Sequence, residues 1–193
     1  FDYTTLLNRL REQAFLNAGI RIVFRDEREE EVVENILYYE GGIREFVNFI
    51  NNNKGGGLIH NEVIYMKAEK GDITAEVALQ YNDSYSEAIV TFANNMSTID
   101  GGTHEVGFKN AMTRVINEYA RKIGQLKESD KNLSGEDVRE GLSAVVSVKL
   151  TEAQFEGQTK GKLGNSEMRT YVYNLVTEKL AEYLEENPGV GKA

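Results

Sequence analysis

QFEGQTKGKLGNSE, residues Gln154–Glu167, separates a strand-like run, AVVSVKL (Ala144–Leu150), from an amphipathic helix that opens near Asn165. It holds three glycines (Gly157, Gly161 and Gly164), two lysines (Lys160 and Lys162) and the amide of Gln158. Glycine frees the backbone for tight or left-handed turns. A lysine tip is a compact cation with three donors, suited to a terminal phosphate. On chemistry alone a solvated basic turn is the plainer reading, because short basic glycine turns are common and no P-loop pattern is present.

On either side of this stretch the periodicity is strong. Ala144, Val146, Val148 and Leu150 point one way along the preceding strand. The following helix, Ser166 to Glu185, buries Met168, Tyr171, Val172, Leu175, Val176, Leu180, Tyr183 and Leu184, and Asn187-Pro188-Gly189 ends it. Upstream, Thr103 to Ile123 is a helix whose core face carries Phe108, Met112, Val115, Ile116, Tyr119 and Ile123. Its other side carries Lys109, Thr113, Asn117 and Arg121 at every fourth position, with Arg114 beside them. His104, at the start of that helix, is expected to cap it. Three strands precede it: Glu62 to Glu69, Ile73 to Tyr81 and Glu87 to Ala93. Their turns, Lys70-Gly71-Asp72 and Asn82-Asp83-Ser84, make an antiparallel meander with one solvated face the natural reading. Nearer the start lie a helix (Tyr3 to Asn17), two strands (Ile20 to Asp26 and Val32 to Tyr39) and a short helix (Ile43 to Ile50) followed by the polar loop NNNKGGG.

The formal charge is −9, so any contact with DNA requires a local basic patch on an acidic body. There is no cysteine, hence no disulfide or thiolate metal site. The two histidines, His60 and His104, lack the partners a metal site would need. No run approaches the roughly 18 apolar residues of a membrane span, and no signal peptide is present. No nucleophile–base pair or carboxylate dyad stands out. A start at Phe1 suggests a piece of a longer protein.

Three stretches in order, DGGTHEVGF (Asp100 to Phe108), SGEDVREGLSAVVSVK (Ser134 to Lys149) and QTKGKLGNSE (Gln158 to Glu167), resemble the gyrase B family of bacterial type II topoisomerases. The resemblance covers essentially the whole chain. It implies that residues 1–40 are the final helix and hairpin of a GHKL-type ATPase domain, with a boundary at Gly41-Gly42, and that residues 41–193 form a transducer domain. The expected fold is α+β: a two-layer sandwich of a four-stranded mixed sheet with helices on one face and a long C-terminal helix. The family implies a left-handed βαβ crossover, an exception to the usual rule.

The resemblance also implies site roles. Gln158 and Lys160 would touch the γ-phosphate of ATP held with Mg²⁺ in the neighbouring ATPase domain. Lys160 is then the catalytic candidate, stabilising charge as it develops, an effect of about 3 kcal/mol. Lys109 would line the hole through which double-stranded DNA passes, with Arg114 and Arg121 added by helical phase. Expected partners are the DNA gyrase A protein, DNA, and a second copy through the ATPase domain, in the cytoplasm with no membrane. The activity would be ATP-driven strand passage and negative supercoiling. The general base and Mg²⁺ ligands lie outside this chain, so alone it is expected to hydrolyse no ATP. The alternatives are the matching ATPase component of topoisomerase IV and a non-catalytic binding module with a merely solvated loop. Without nucleotide, Glu156 to Lys162 is expected to be mobile or held only by incidental contacts.

Overall fold

The computed structural model describes residues 1–193. Helix α1 (Tyr3–Leu16) is capped by Asp2, whose carboxylate accepts from the Thr5 amide at 2.8 Å. Strands β1 (Arg21–Asp26) and β2 (Val33–Tyr38) pair antiparallel as a separate two-stranded ribbon. Helix α2 (Ile43–Lys54) runs on through the asparagines expected to be loop. Strands β3 (Ile64–Lys70), β4 (Ile73–Tyr81), β5 (Ala88–Ala93) and β6 (Met96–Ser97) follow, then helix α3 (Thr103–Lys122). The chain continues as α4 (Gly135–Arg139), β7 (Leu142–Lys149), the two-residue strands β8 (Phe155–Glu156) and β9 (Lys162–Leu163), α5 (Ser166–Glu186) and α6 (Pro188–Lys192).

The fold is α+β, as expected, but the sheet has five strands rather than four, in the order β3-β4-β7-β5-β6. The fifth is the short β6, folded back on β5 through Asn94 and Asn95, both at positive φ. Nor do β3, β4 and β5 form a meander. Strand β7 inserts between β4 and β5, antiparallel to the first and parallel to the second. The reason lies in its sequence: LSAVVSV is apolar or small at every position, and all seven residues are buried. Such a strand is stable only in the centre, covered on both faces.

Both faces are in fact covered, which corrects the expectation of helices on one face only. On one side Val77, Leu79, Ala144, Val146 and Val148 meet Phe108, Met112 and Val115 of α3 and Met168, Val172, Val176 and Leu180 of α5. On the other, Ala78, Phe92 and Val145 meet Phe46 and Val47 of α2 and Phe15 of α1. The Phe15 ring stacks on Phe46 with centroids 4.6 Å apart. Each fully buried phenylalanine of this kind contributes about 2–3 kcal/mol relative to exposure. Helices α3 and α5 cross so closely at Gly107 that a Cβ there would lie 2.3 Å from the Arg169 carbonyl oxygen. That crossing places the β7–α5 connection beside the start of α3.

Candidate functional site

The connection between β7 and α5 is a hairpin, and at its base the contacts are specific rather than the incidental ones expected. Phe155 pairs with Leu163 and Glu156 with Lys162. Asn165, unremarkable in the sequence, ties its two ends together. The Asn165 Oδ1 accepts from the Gln154 amide at 2.6 Å, and its Nδ2 donates to the Glu152 carbonyl at 3.0 Å and to Glu167 at 2.9 Å. That last bond holds the Glu167 carboxyl below the usual range. The hairpin also docks on the turn before α3. The Asp100 amide donates to the Gly161 carbonyl at 2.9 Å, and the Leu163 amide to the Gly101 carbonyl at 3.2 Å. Leu163 is fully buried beneath it.

The tip is different. Gln158, Thr159 and Lys160 are exposed, and none of their side chains makes a hydrogen bond or ion pair. Gly157 and Lys160 both have positive φ, +77° and +56°, and the Lys160 amide closes the turn onto the Gly157 carbonyl at 3.4 Å. A lysine in the left-handed region costs about 1–2 kcal/mol, so its backbone is held against preference with its ammonium in solvent. The two lysines of the stretch are thereby separated. Lys162 pairs with Glu156 at 2.9 Å, which raises its pKa, whereas Lys160 is the uncompensated cation.

A second feature is a basic groove of about 990 Å³ lined by Lys109, Arg114 and Arg121 of α3, Arg139 of α4 and Arg169 of α5, with Glu118 as its one carboxylate. The cations are not equivalent. Arg114 donates to Glu118 and to the Tyr173 hydroxyl, each at 2.7 Å; the Tyr173 bond first, then Glu118, raise its pKa. Arg121 holds the loop after α3, donating to the carbonyls of Lys127 and Asp130 and to the Asn132 side chain. Arg139 is largely buried against Glu87, 2.6 Å away. Lys109 pairs with Glu105 at 2.7 Å. Arg169 has no side-chain partner, and with Lys109 it also lines the recess beside the hairpin. The helical phase of α3 gives no sign of Arg139 and Arg169, because they sit on other helices, one of them facing Lys109 only through the α3–α5 crossing.

Two expectations about α3 fail. His104 does not cap the helix: the cap position is Gly102, with no side-chain bond, and His104 is fully buried. Asn117, placed by helical phase on the side away from the core face, is buried, exchanging hydrogen bonds with the backbone of Leu133. No three His, Cys, Asp or Glu side chains are grouped to hold a metal ion, and no helix is long and apolar enough to cross a membrane.

The family model for DNA gyrase B matches residues 42–193. The DNA gyrase B protein of Clostridium acetobutylicum is 58% identical over 193 residues, all of this chain and 30% of that protein. Its counterpart from Staphylococcus epidermidis is 53% identical over 192 residues, again 100% of the chain and 30% of the relative. Among solved structures, the 43K ATPase domain of Thermus thermophilus gyrase B, in complex with an aminocoumarin, superposes with a TM-score of 0.86 at 40% identity. The match covers all of this chain and 50% of that one. The topoisomerase IV ATP-binding domain of Francisella tularensis gives 0.80 at 25% identity, over 100% of this chain and 50% of that one.

Proposed function

The chain belongs to the DNA gyrase B family, and from that premise we propose that it is the part of a gyrase B protein that senses the γ-phosphate of ATP and passes that state to the DNA gate. The chain spans about a third of the length of its curated relatives, so supercoiling, the gyrase A protein and the nucleotide belong to a larger assembly. In this reading residues 1–40 complete the ATPase domain and residues 41–193 are the transducer, working in the cytoplasm.

The observation that carries the reading is Lys160: an unpaired cation at the exposed tip of a hairpin whose base is docked on α3. The residues fit a nucleotide held elsewhere. Gln158 and Lys160 offer free donors to its terminal phosphate. The bound nucleotide would supply the charge that these donors meet. Lys160 stabilises that charge most as it builds in the transition state, and loss of the γ-phosphate frees the hairpin. Two states with different contacts are what coupling requires.

In the full-length protein, Lys160→Ala should lower kcat for ATP roughly 100-fold, with KM changed far less, because only transition-state contacts act on kcat selectively. A variant that binds a non-hydrolysable analogue poorly yet turns over bound ATP normally would make Lys160 a docking residue instead. The same enzyme distinguishes gyrase from topoisomerase IV: supercoiling supports the first, preferential decatenation the second.

A further inference from the structure

We propose that Thr91, Thr98 and His104 form a buried relay that positions the Lys160 hairpin, by holding rigid the Thr98–Gly102 turn on which the hairpin is docked. Its catalytic consequence rests on the reading of Lys160 given above. The proposed direction of the relay follows from one assignment. The Thr91 hydroxyl reaches the Thr98 carbonyl at 3.1 Å, and the Thr91 and Thr98 hydroxyl oxygens are 2.6 Å apart. Thr98 Oγ1 lies 3.0 Å from His104 Nε2. With the single Thr91 proton placed on the carbonyl, Thr98 donates to Thr91 and accepts from His104, so the relay runs from His104 to Thr98 to Thr91 and back to the Thr98 backbone. In this direction His104 is the Nε2–H tautomer, and its buried Nδ1, which has no partner, is a lone pair.

An orphaned buried acceptor costs about 1–3 kcal/mol, so this imidazole is not explained as filler. What it secures is a crossroads. His104 belongs to α3, Thr91 to β5, and Thr98 to the turn between β6 and α3; all three are buried. The Thr98 amide also donates to the Thr91 carbonyl at 2.9 Å, and the Gly101 amide to the Thr98 carbonyl at 2.9 Å. Two residues further on, the same turn supplies the Asp100 amide and the Gly101 carbonyl that grip the hairpin. Contact there is close enough that a Cβ on Gly102, whose φ is +142°, would meet the Leu163 backbone at 2.5 Å. A turn free to shift would carry the hairpin, and the Lys160 tip with it, out of register.

The test uses Thr98→Val, which keeps shape and deletes the hydroxyl, with Thr98→Ser as the conservative control. In the 193-residue chain, long-range ¹H–¹⁵N spectra should show His104 as the Nε2–H tautomer. In the valine variant, amide exchange at Asp100 and Leu163 should rise about tenfold or more while Val146 of β7 changes little. In the full-length protein that variant should lower kcat about tenfold with KM for ATP nearly unchanged, and serine should restore it. An Nδ1–H tautomer, or equal acceleration at Leu163 and Val146, would overturn the relay. Loosened hairpin amides with normal kcat would overturn its catalytic role. If Lys160→Ala itself leaves hydrolysis unchanged, the function assigned to Lys160 falls, and the exchange measurement still decides whether the relay holds the hairpin.

Discussion

His104 and His60 are the only histidines of the chain, and burial disfavours the charged form of both. Burial pushes His104 down to about 4; burial also lowers His60, partly offset by its bond to the Glu62 carbonyl. The unfolded chain takes up protons near pH 6.5 that the folded one refuses, so stability is complete above that pH and lost as pH falls toward 4. For His104 the loss should reach about 2 kcal/mol by about pH 5. Urea unfolding at about pH 7.5, 6 and 5 checks this, before most carboxylates titrate. A midpoint that does not move across that range would contradict the buried neutral imidazole. At this scale the sequence told little: a histidine beside two glycines at a helix start suggests a cap, and only packing shows it pointing inward.

At the scale of elements, the α3–α5 crossing organises both candidate sites. It brings Arg169 opposite Lys109 and sets the hairpin against the turn before α3. Gly107 permits that approach. Replacing a helical glycine by alanine normally stabilises by about 1 kcal/mol, but here the new methyl would sit 2.3 Å from a backbone carbonyl that has no flexible end to move aside. Overpacking of that kind costs about 1–3 kcal/mol, so the clash wins. Gly107→Ala should therefore lower the urea midpoint of the chain, and a raised midpoint would show that the two helices can separate freely.

For the whole molecule, the decisive fact is a basic groove on a chain of formal charge −9. The net field repels DNA, and in the proposed reading Lys109, paired with Glu105, and the unpartnered Arg169 are the local footing. Binding of duplex DNA to the chain alone should be weak and should disappear between about 50 and 200 mM salt. The double variant Lys109→Gln, Arg169→Gln should reduce the log–log salt slope by about 2, since each lost phosphate contact accounts for about 0.9. Anisotropy of a labelled duplex measures this. An unchanged slope would remove the groove from the DNA path, whereas changing Arg121 would be uninformative, because it also holds the loop after α3.

Local pattern determined much of this protein. The 3.6-residue periodicity of α3 and α5 marked their buried faces, because a helix has only one way to turn its apolar stripe inward. The run of apolar and small residues in β7 implies a strand covered on both sides, although its alternation points to one inward face and the expected meander leaves no place for it. Motif order carried the family, and glycines with lysines marked the connection between β7 and α5, although as a loose loop rather than a hairpin. Tertiary structure alone decided which cation is free. Lys160 and Lys162 are two residues apart and chemically identical, and only the pairing of β8 with β9 brings Glu156 to the second. It likewise decided that Asn117 and His104 face inward, that Arg169 joins Lys109, and that a two-residue strand, β6, closes the sheet edge. Charge neutralisation, proton direction and helix crossing depend on distances between residues far apart in sequence, and periodicity does not encode such distances.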